Sequence, residues 1–364
     1  MTLDLREGDR RAFFEAPFHA YGASGAYVSP LRSDIERMLD AARNPLWTAG
    51  NAFAFWTVHC DSRPVGRIIA HVHGQSNREH GTRRAQFGFF DCVDDPEVAR
   101  LLLDAAERFA RAHGQTELVG NFNLTAMQQC GVMTDGFGQA GFTDMVVNPP
   151  HIPRLLEAHG FVPIFPMTTF ELDVGTAHLP DRAILDDPAF SFAPIARHDF
   201  PQRMEEARLV LNDGFARNPM FVPLTAEEFQ FQAGEMMAIL DPRLSTVLLE
   251  EGRPVGTLIC IPDLNGFLRA TRSRIRLLTP WHYLRYRMRR RRAVIIFYSV
   301  VHDRHGRGLM GAILARTTAA LRQAGYRQLG ITWIADDNAA SLRQMEKLGA
   351  RPLHRLHLYR KALA

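Results

Sequence analysis

No apolar run in this 364-residue chain approaches the ~20 residues that a membrane-spanning helix needs. Its first twenty residues, MTLDLREGDRRAFFEAPFHA, lack the apolar core of a secretory signal. Cysteine is scarce: Cys60, Cys92, Cys130 and Cys260 stand far apart and form no C-x-x-C pair. That spacing argues against a disulfide framework. His59, His71 and His73 fall on adjacent strand candidates without completing a ligand set, so no metal is expected. Cys130 has no clear His or Asp partner that would make it a nucleophile. Together these absences lead to the expectation of a cytoplasmic, reduced, disulfide-free protein.

One stretch combines a high density of arginine with a complete lack of acid. Between Leu264 and His302 there are ten arginines and no Asp or Glu. The chain holds 43 Lys and Arg against 39 Asp and Glu; without those ten arginines it would hold 33 against 39. The basic character therefore belongs to one segment, LRATRSRIRLLTPWHYLRYRMRRRRAV, in which Pro280 opens a short basic helix. A solvated face, a nucleic-acid contact, a membrane-surface contact and a dock for an acidic partner all remain open for it.

What is present is ordinary in amount and ordered in pattern. A content of 46% hydrophobic and 23% charged residues supports a sizeable core, and the length favours two domains. RPVG occurs at Arg63–Gly66 and again at Arg253–Gly256, 190 positions on, each time between two strand-like segments. LEAHGFVP and MEKLGARP, ending at Pro163 and Pro352, repeat with an offset of 189. The central helices stop at Gly114 and Gly325, an offset of 211, so the second half carries about 21 extra residues before that helix. Two copies of a β-β-β-α-β-α-β unit account for this order. The expected boundaries are 1–176 and 191–364, joined by a linker at 177–190, with the basic insertion at 264–292.

VVHDRHGRGLMGAIL (Val300–Leu314) and DNAASLRQMEKLGARP (Asp337–Pro352) resemble the GNAT acyltransferase superfamily. Nearly the whole chain is similar to bacterial tandem GNAT-like N-acyltransferase homologues. The resemblance implies an α/β (α+β) fold of two GNAT-like domains, each a mixed, mostly antiparallel sheet flanked by helices. It also implies a thioester donor, acyl-CoA or an acyl-carrier protein, and an amine acceptor on a small molecule or amino acid. A pyrophosphate is held where backbone amides converge at a helix start. The implied donor contacts are Val301, Arg304, His305, Gly306, Arg307, Gly308, Leu309 and Met310, with Asn338 at the start of the next helix. Departures from the family pattern are His305 and Met310 in the loop and Met345 where the family places a proton-donating tyrosine. Asp91, Asp94, Asp95 and Glu97 hold the matching turn of the first half and would repel a phosphate, so that half is expected to form an acceptor wall.

With the family tyrosine missing, Asp303 and Tyr359 are the candidates for proton transfer. Tyr298 and Ser299 on the central strand and Trp333 on the next are expected to touch substrate. The long segment GNFNLTAMQQCGVMTDGFG adds Asn121, Asn123 and Asp135 to the acceptor side. An acidic acyl-carrier protein docking on Arg269–Arg292 would explain the basic segment. Two other readings remain: a Fem-like transferase using aminoacyl-tRNA, and a non-catalytic GNAT-derived protein binding RNA, a membrane or an acyl ligand.

Overall fold

A computed structural model describes residues 2–363 except 23–25, 49, 126, 128, 179–182, 219 and 235, so part of the expected linker lies outside the described residues. The first half runs β1 (Leu3–Glu7), α1 (Arg10–Tyr21), α2 (Arg32–Met38), β2 (Ala52–Cys60), β3 (Arg63–Val72), α3 (Gly74–His80) and β4 (Arg84–Cys92). It continues with α4 (Pro96–Ala112), β5 (Glu117–Gly120), β6 (Val132–Asp135), α5 (His151–Ala158) and β7 (Val162–Asp173). The second half opens with β8 (Phe190–Pro194), α6 (Phe200–Phe215), α7 (Ala226–Ala233), α8 (Met236–Ile239), β9 (Thr246–Glu250) and β10 (Arg253–Pro262). Its insertion forms α9 (Asn265–Thr271) and α10 (Thr279–Arg289). β11 (Arg292–Val300), α11 (Leu309–Gln323), β12 (Gln328–Ala335), α12 (Ala339–Leu348) and β13 (Arg351–Ala362) complete the chain. Among the described residues no helix is long and apolar enough to cross a membrane.

The repeated RPVG has a mechanical explanation. Each copy follows a two-residue turn with both φ angles positive, Asp61–Ser62 and Glu251–Gly252, as a tight hairpin needs. The glycine of each copy then faces the half's main helix. A Cβ on Gly66 would lie 2.9 Å from Leu102 of α4, and one on Gly256 would lie 2.7 Å from Ile313 of α11. The motif lets a helix settle on a hairpin, twice.

The strands form one sheet in the order β1-β2-β3-β4-β5-β13-β7-β12-β11-β10-β9-β8, with β6 pairing β13. Among the described residues only β4–β5 and β11–β12 run parallel. The halves exchange their last strands: β13 lies between β5 and β7, while β7 borders β12 of the second half. Alternating strand residues divide the core between the two faces. Ile68 and Ala70 pack with α4 and α5, whereas Ile69 packs with Phe13 and Ile35 on the other face. Leu258 and Cys260 pack with α11, whereas Ile259 packs with α6 and α7. In α4, Asp95 accepts the Glu97 amide at 2.8 Å and Pro96 occupies the first turn, the start its sequence signals.

Candidate active site

β11 and β12 pair only from Arg292–Gln328 to Ile295–Ile331 and then diverge. At that point Ile296 has no partner on β10, because pairing steps from Ile295–Cys260 to Phe297–Ile259. Among the described residues one side-chain hydrogen bond crosses the widening gap, from the Thr332 hydroxyl to the Ile296 carbonyl at 2.9 Å. β4 and β5 of the first half also part, after Phe87–Gly120. There the gap is filled. Asn121 accepts the Phe90 amide at 3.2 Å, Asn123 accepts the Phe89 amide at 2.7 Å, and the Phe122 amide donates to the Phe87 carbonyl at 2.7 Å. Gly88 approaches the Phe122 carbonyl so closely that any side chain there would collide with it.

A cavity of about 320 Å³ lies between the halves, on the face that carries α1 and α6. Ile296 and Phe297 bring the diverging strand to it, and Ile259, Ile261, Phe229, Phe267 and Phe142 make most of its wall apolar. At one end Arg67, 1% exposed, pairs with Asp91 at 2.7 Å and donates to the Tyr27 hydroxyl at 2.8 Å. The Tyr21 hydroxyl donates to the same carboxylate at 2.7 Å. Burial raises the pKa of both tyrosines, which keeps them neutral donors.

Asp144 also lines this cavity, and among the described residues its carboxylate forms no hydrogen bond or ion pair. Desolvation pushes its pKa up to about 7. Its backbone is left-handed, with φ 68°, a strained setting for a residue other than glycine. The second half holds it there. The neighbouring Thr143 donates its amide and hydroxyl to Asp263 at 2.9 and 2.8 Å and accepts the Leu264 amide at 2.6 Å. Phe142 covers Gly330 of β12, and the Arg292 guanidinium stacks 3.8 Å from its ring centre. A carboxylate with this pKa, unpaired in an apolar cavity, can take a proton from an amine near neutral pH.

The turn before α11 combines Gly306 and Gly308, both at φ 78°, with a helix start that no side chain caps. Such a start leaves backbone amides available for phosphate oxygens, so the residues fit a coenzyme A pyrophosphate. Arg304 and Arg307 pair with Glu250 of β9, at 2.6 and 2.9 Å. His305 donates Nε2–H to the Val300 carbonyl at 2.9 Å. Val301 and Leu309 are buried, and Met310 packs on the second core beside Ile184. Ile184 lies 3.4 Å from where a Gly308 Cβ would stand. Asn338 caps α12 by accepting the Ser341 amide at 3.1 Å, so its side chain is engaged in the fold.

Several expected site residues do other work. Asp303 is an exposed ion-pair partner of Arg304 and Arg253 at 3.0 and 3.5 Å. Tyr359 is fully buried in the first half's core, its hydroxyl donating to Glu157 at 2.8 Å, because β13 has crossed to that side. Neither is among the residues that line the cavity. Asp135 is exposed at the end of β6 and accepts the Gly136 amide at 2.7 Å. Trp333 packs edge-on against Phe165, and Ser299 packs against Gly214 of α6. Asn121 and Asn123 do line the cavity, with the structural duty already described. The Tyr298 hydroxyl is buried, and desolvation, offset in part by Ser341, pushes its pKa up to about 12. Cys130 is buried, which raises its thiol pKa and leaves it unreactive.

Among the described residues one cluster of metal-ligand type occurs, Asp104, Glu107 and His159. Lys361 and Arg111 already pair with Glu107, and Arg100 with Asp104, so the cluster is charge-balanced without an ion. The sequence reading missed Asp144 and the Arg67–Asp91 pair. For Asp144 a signal was available: a lone acid between apolar residues in GFTDMVV, inside the long loop.

Two copies of a strand-turn-helix unit, each with a parting pair of parallel strands, define a tandem GNAT-type fold. Residues 213–350 match the family model of the acetyltransferase (GNAT) family. A tandem GNAT protein from the clavulanic acid biosynthesis pathway, solved without AcCoA, superposes with a TM-score of 0.61 at 15% identity, over 100% of this chain and 99% of that one. Protein YghO of Escherichia coli (strain K12) is 24% identical over 99% of this chain and 94% of its own length. Bacterial ceramide synthase of Caulobacter vibrioides is 23% identical over 97% and 94%. The second half thus matches the GNAT family model, and the whole chain has the fold of a tandem GNAT protein.

Proposed function

We propose that the protein transfers a fatty acyl group from acyl-CoA to the amine of a long-chain, lipid-like acceptor. The observation that carries this reading is Asp144, an unpaired carboxylate in an apolar cavity that begins where β11 and β12 part. The amides at the start of α11 would hold the pyrophosphate, and the parting strands would give the pantetheine arm a route to the cavity. Asp144 takes a proton from the acceptor ammonium. The freed nitrogen lone pair forms the C–N bond, the C–S bond breaks with its electron pair on sulfur, and the thiolate takes up the second proton, which the nitrogen releases as it becomes the amide. A thiol of pKa ~8.5 is a sufficient leaving group without a dedicated tyrosine, in keeping with Met345 buried at the family position.

The apolar wall favours a hydrocarbon occupant over a polar amine. The likeness to a relative named for ceramide synthesis supports the same choice, since a ceramide is an N-acylated long-chain amino alcohol. The test offers the purified protein palmitoyl-CoA, acetyl-CoA and a palmitoylated carrier protein, each with a long-chain amino alcohol or with a water-soluble amine. Amide formation from palmitoyl-CoA and the long-chain amine, read by mass spectrometry, is the expected result. Transfer to the water-soluble amine alone, or from the carrier protein alone, would overturn the acceptor or the donor assignment.

A further inference from the structure

Nine large hydrophobic side chains are exposed among the described residues, and six of them, Ile275, Leu277, Leu278, Trp281, Leu284 and Met288, lie within one 14-residue stretch of the basic insertion. Leu277 is 94% exposed. Their display follows from the way α10 is seated. Tyr283 and Tyr286 pack on Phe267 of α9 with ring centres 5.6 and 6.1 Å away, which fixes the inner face of the helix. Trp281, Leu284 and Met288, spaced i, i+3, i+7, consequently form an outward stripe.

The arginines divide the same way. Arg274, Arg290 and Arg292 pair inward with Glu15, Asp241 and Asp263. Arg285, Arg287 and Arg289 flank the outward stripe and, like Arg276 and Arg291, form no ion pair among the described residues. No acid between Leu264 and His302 offsets them.

We propose that α10 and the turn before it dock the protein on an anionic lipid bilayer, the apolar stripe entering the headgroup boundary and the arginines resting on lipid phosphates. RNA or an acidic carrier protein would satisfy the arginines yet offer no apolar phase to the stripe, whereas a bilayer surface offers both. α9, on which α10 is seated, contributes Phe267 and Leu268 to the cavity wall, so docking brings the cavity to the lipid. The proposal stands without the acyl-transfer reading, because membrane binding needs no turnover.

Sedimentation of the full-length protein with vesicles tests it. Phosphatidylcholine vesicles containing phosphatidylglycerol should bind the protein and shift its tryptophan emission to the blue, a shift lost in Trp281→Phe. Pure phosphatidylcholine should bind far less. The combined Arg285→Gln, Arg287→Gln and Arg289→Gln variant should bind about a hundredfold more weakly, from roughly fivefold per arginine. Leu284→Gln with Met288→Gln should leave residual, salt-sensitive binding and no emission shift. Unchanged thermal melting of these surface variants confirms the fold. Failure to bind anionic vesicles, or vesicle binding indifferent to all five glutamines, would overturn the proposal, as would tight binding of an acidic acyl-carrier protein or RNA with vesicles ignored.

Discussion

The Thr143 hydroxyl donates to Asp263 Oδ1 at 2.8 Å, joining residues 120 positions apart and tying a loop of the first half to the end of β10 in the second. Asp144 is the next residue along that loop, so the placement of the carboxylate depends on the tie. Thr143→Val should lower kcat about tenfold by loosening Asp144, with KM for the donor little changed. Because solvent would then reach the carboxylate, the apparent pKa of the rate should fall below that of the unaltered protein. A lower rate with an unchanged pH profile would show that Thr143 does not position Asp144.

Asp144→Asn removes the proposed base, and turnover should drop roughly 10²- to 10⁴-fold. In the unaltered protein the rate should rise with pH through about 7, as the carboxylate ionises. Stability should move the opposite way. The folded pKa lies above the unfolded value of about 4, so the folded state binds more protons between those limits and loses stability as pH climbs through them. Asp144→Asn should therefore melt a few degrees higher than the unaltered protein at pH 8 and level with it near pH 4. A variant that melts lower at pH 8 would mean the carboxylate has a stabilising partner.

Gly308 is the position at which donor binding and backbone geometry can be separated. At φ 78°, with Ile184 over the turn, it tolerates a side chain poorly. Gly308→Val should cost about 1–2 kcal/mol of stability. It should also raise KM for acyl-CoA at least tenfold, with kcat at saturation nearly preserved, because the pyrophosphate is remote from the bond that breaks. Loss of kcat with KM untouched would place the phosphates elsewhere.

The order of elements was legible in the sequence because it rests on local signals: RPVG turns, the Asp95–Pro96 helix start, and glycines after helices. The partners of those elements were not. Tyr359 reads as an active-site tyrosine only if β13 stays with its own half; pairing with β5 instead buries it. Asn121 and Asn123 read as ligand contacts because nothing local predicts that they close the gap between β4 and β5. Arg304 and Arg307 are adjacent to the loop in sequence, but Glu250 reaches them only through the register of β9 with β10. Asp144 escaped notice for the same reason, since its pKa is set by side chains brought together from both halves.

The crossing of β13 makes a prediction about the halves themselves. β13 pairs with β5, β6 and β7, all from the first half, while β12 meets β7 rather than β13. Residues 191–364 expressed alone would therefore present a bare β12 edge beside an unpaired β13 whose Leu356, Leu358 and Tyr359 are buried in the intact chain. Two copies can repair both defects by repeating the exchange seen within the chain, each β13 crossing to the partner's β12. The expected product is a dimer by light scattering, with dissociation coupled to unfolding. Mixing denatured 191–364 with denatured 1–176 and refolding them together should instead yield a one-to-one complex that recovers acyl transfer. A stable monomer of 191–364 with a cooperative melt would show that β13 can fold back onto its own β12 and that the exchange is not required for folding.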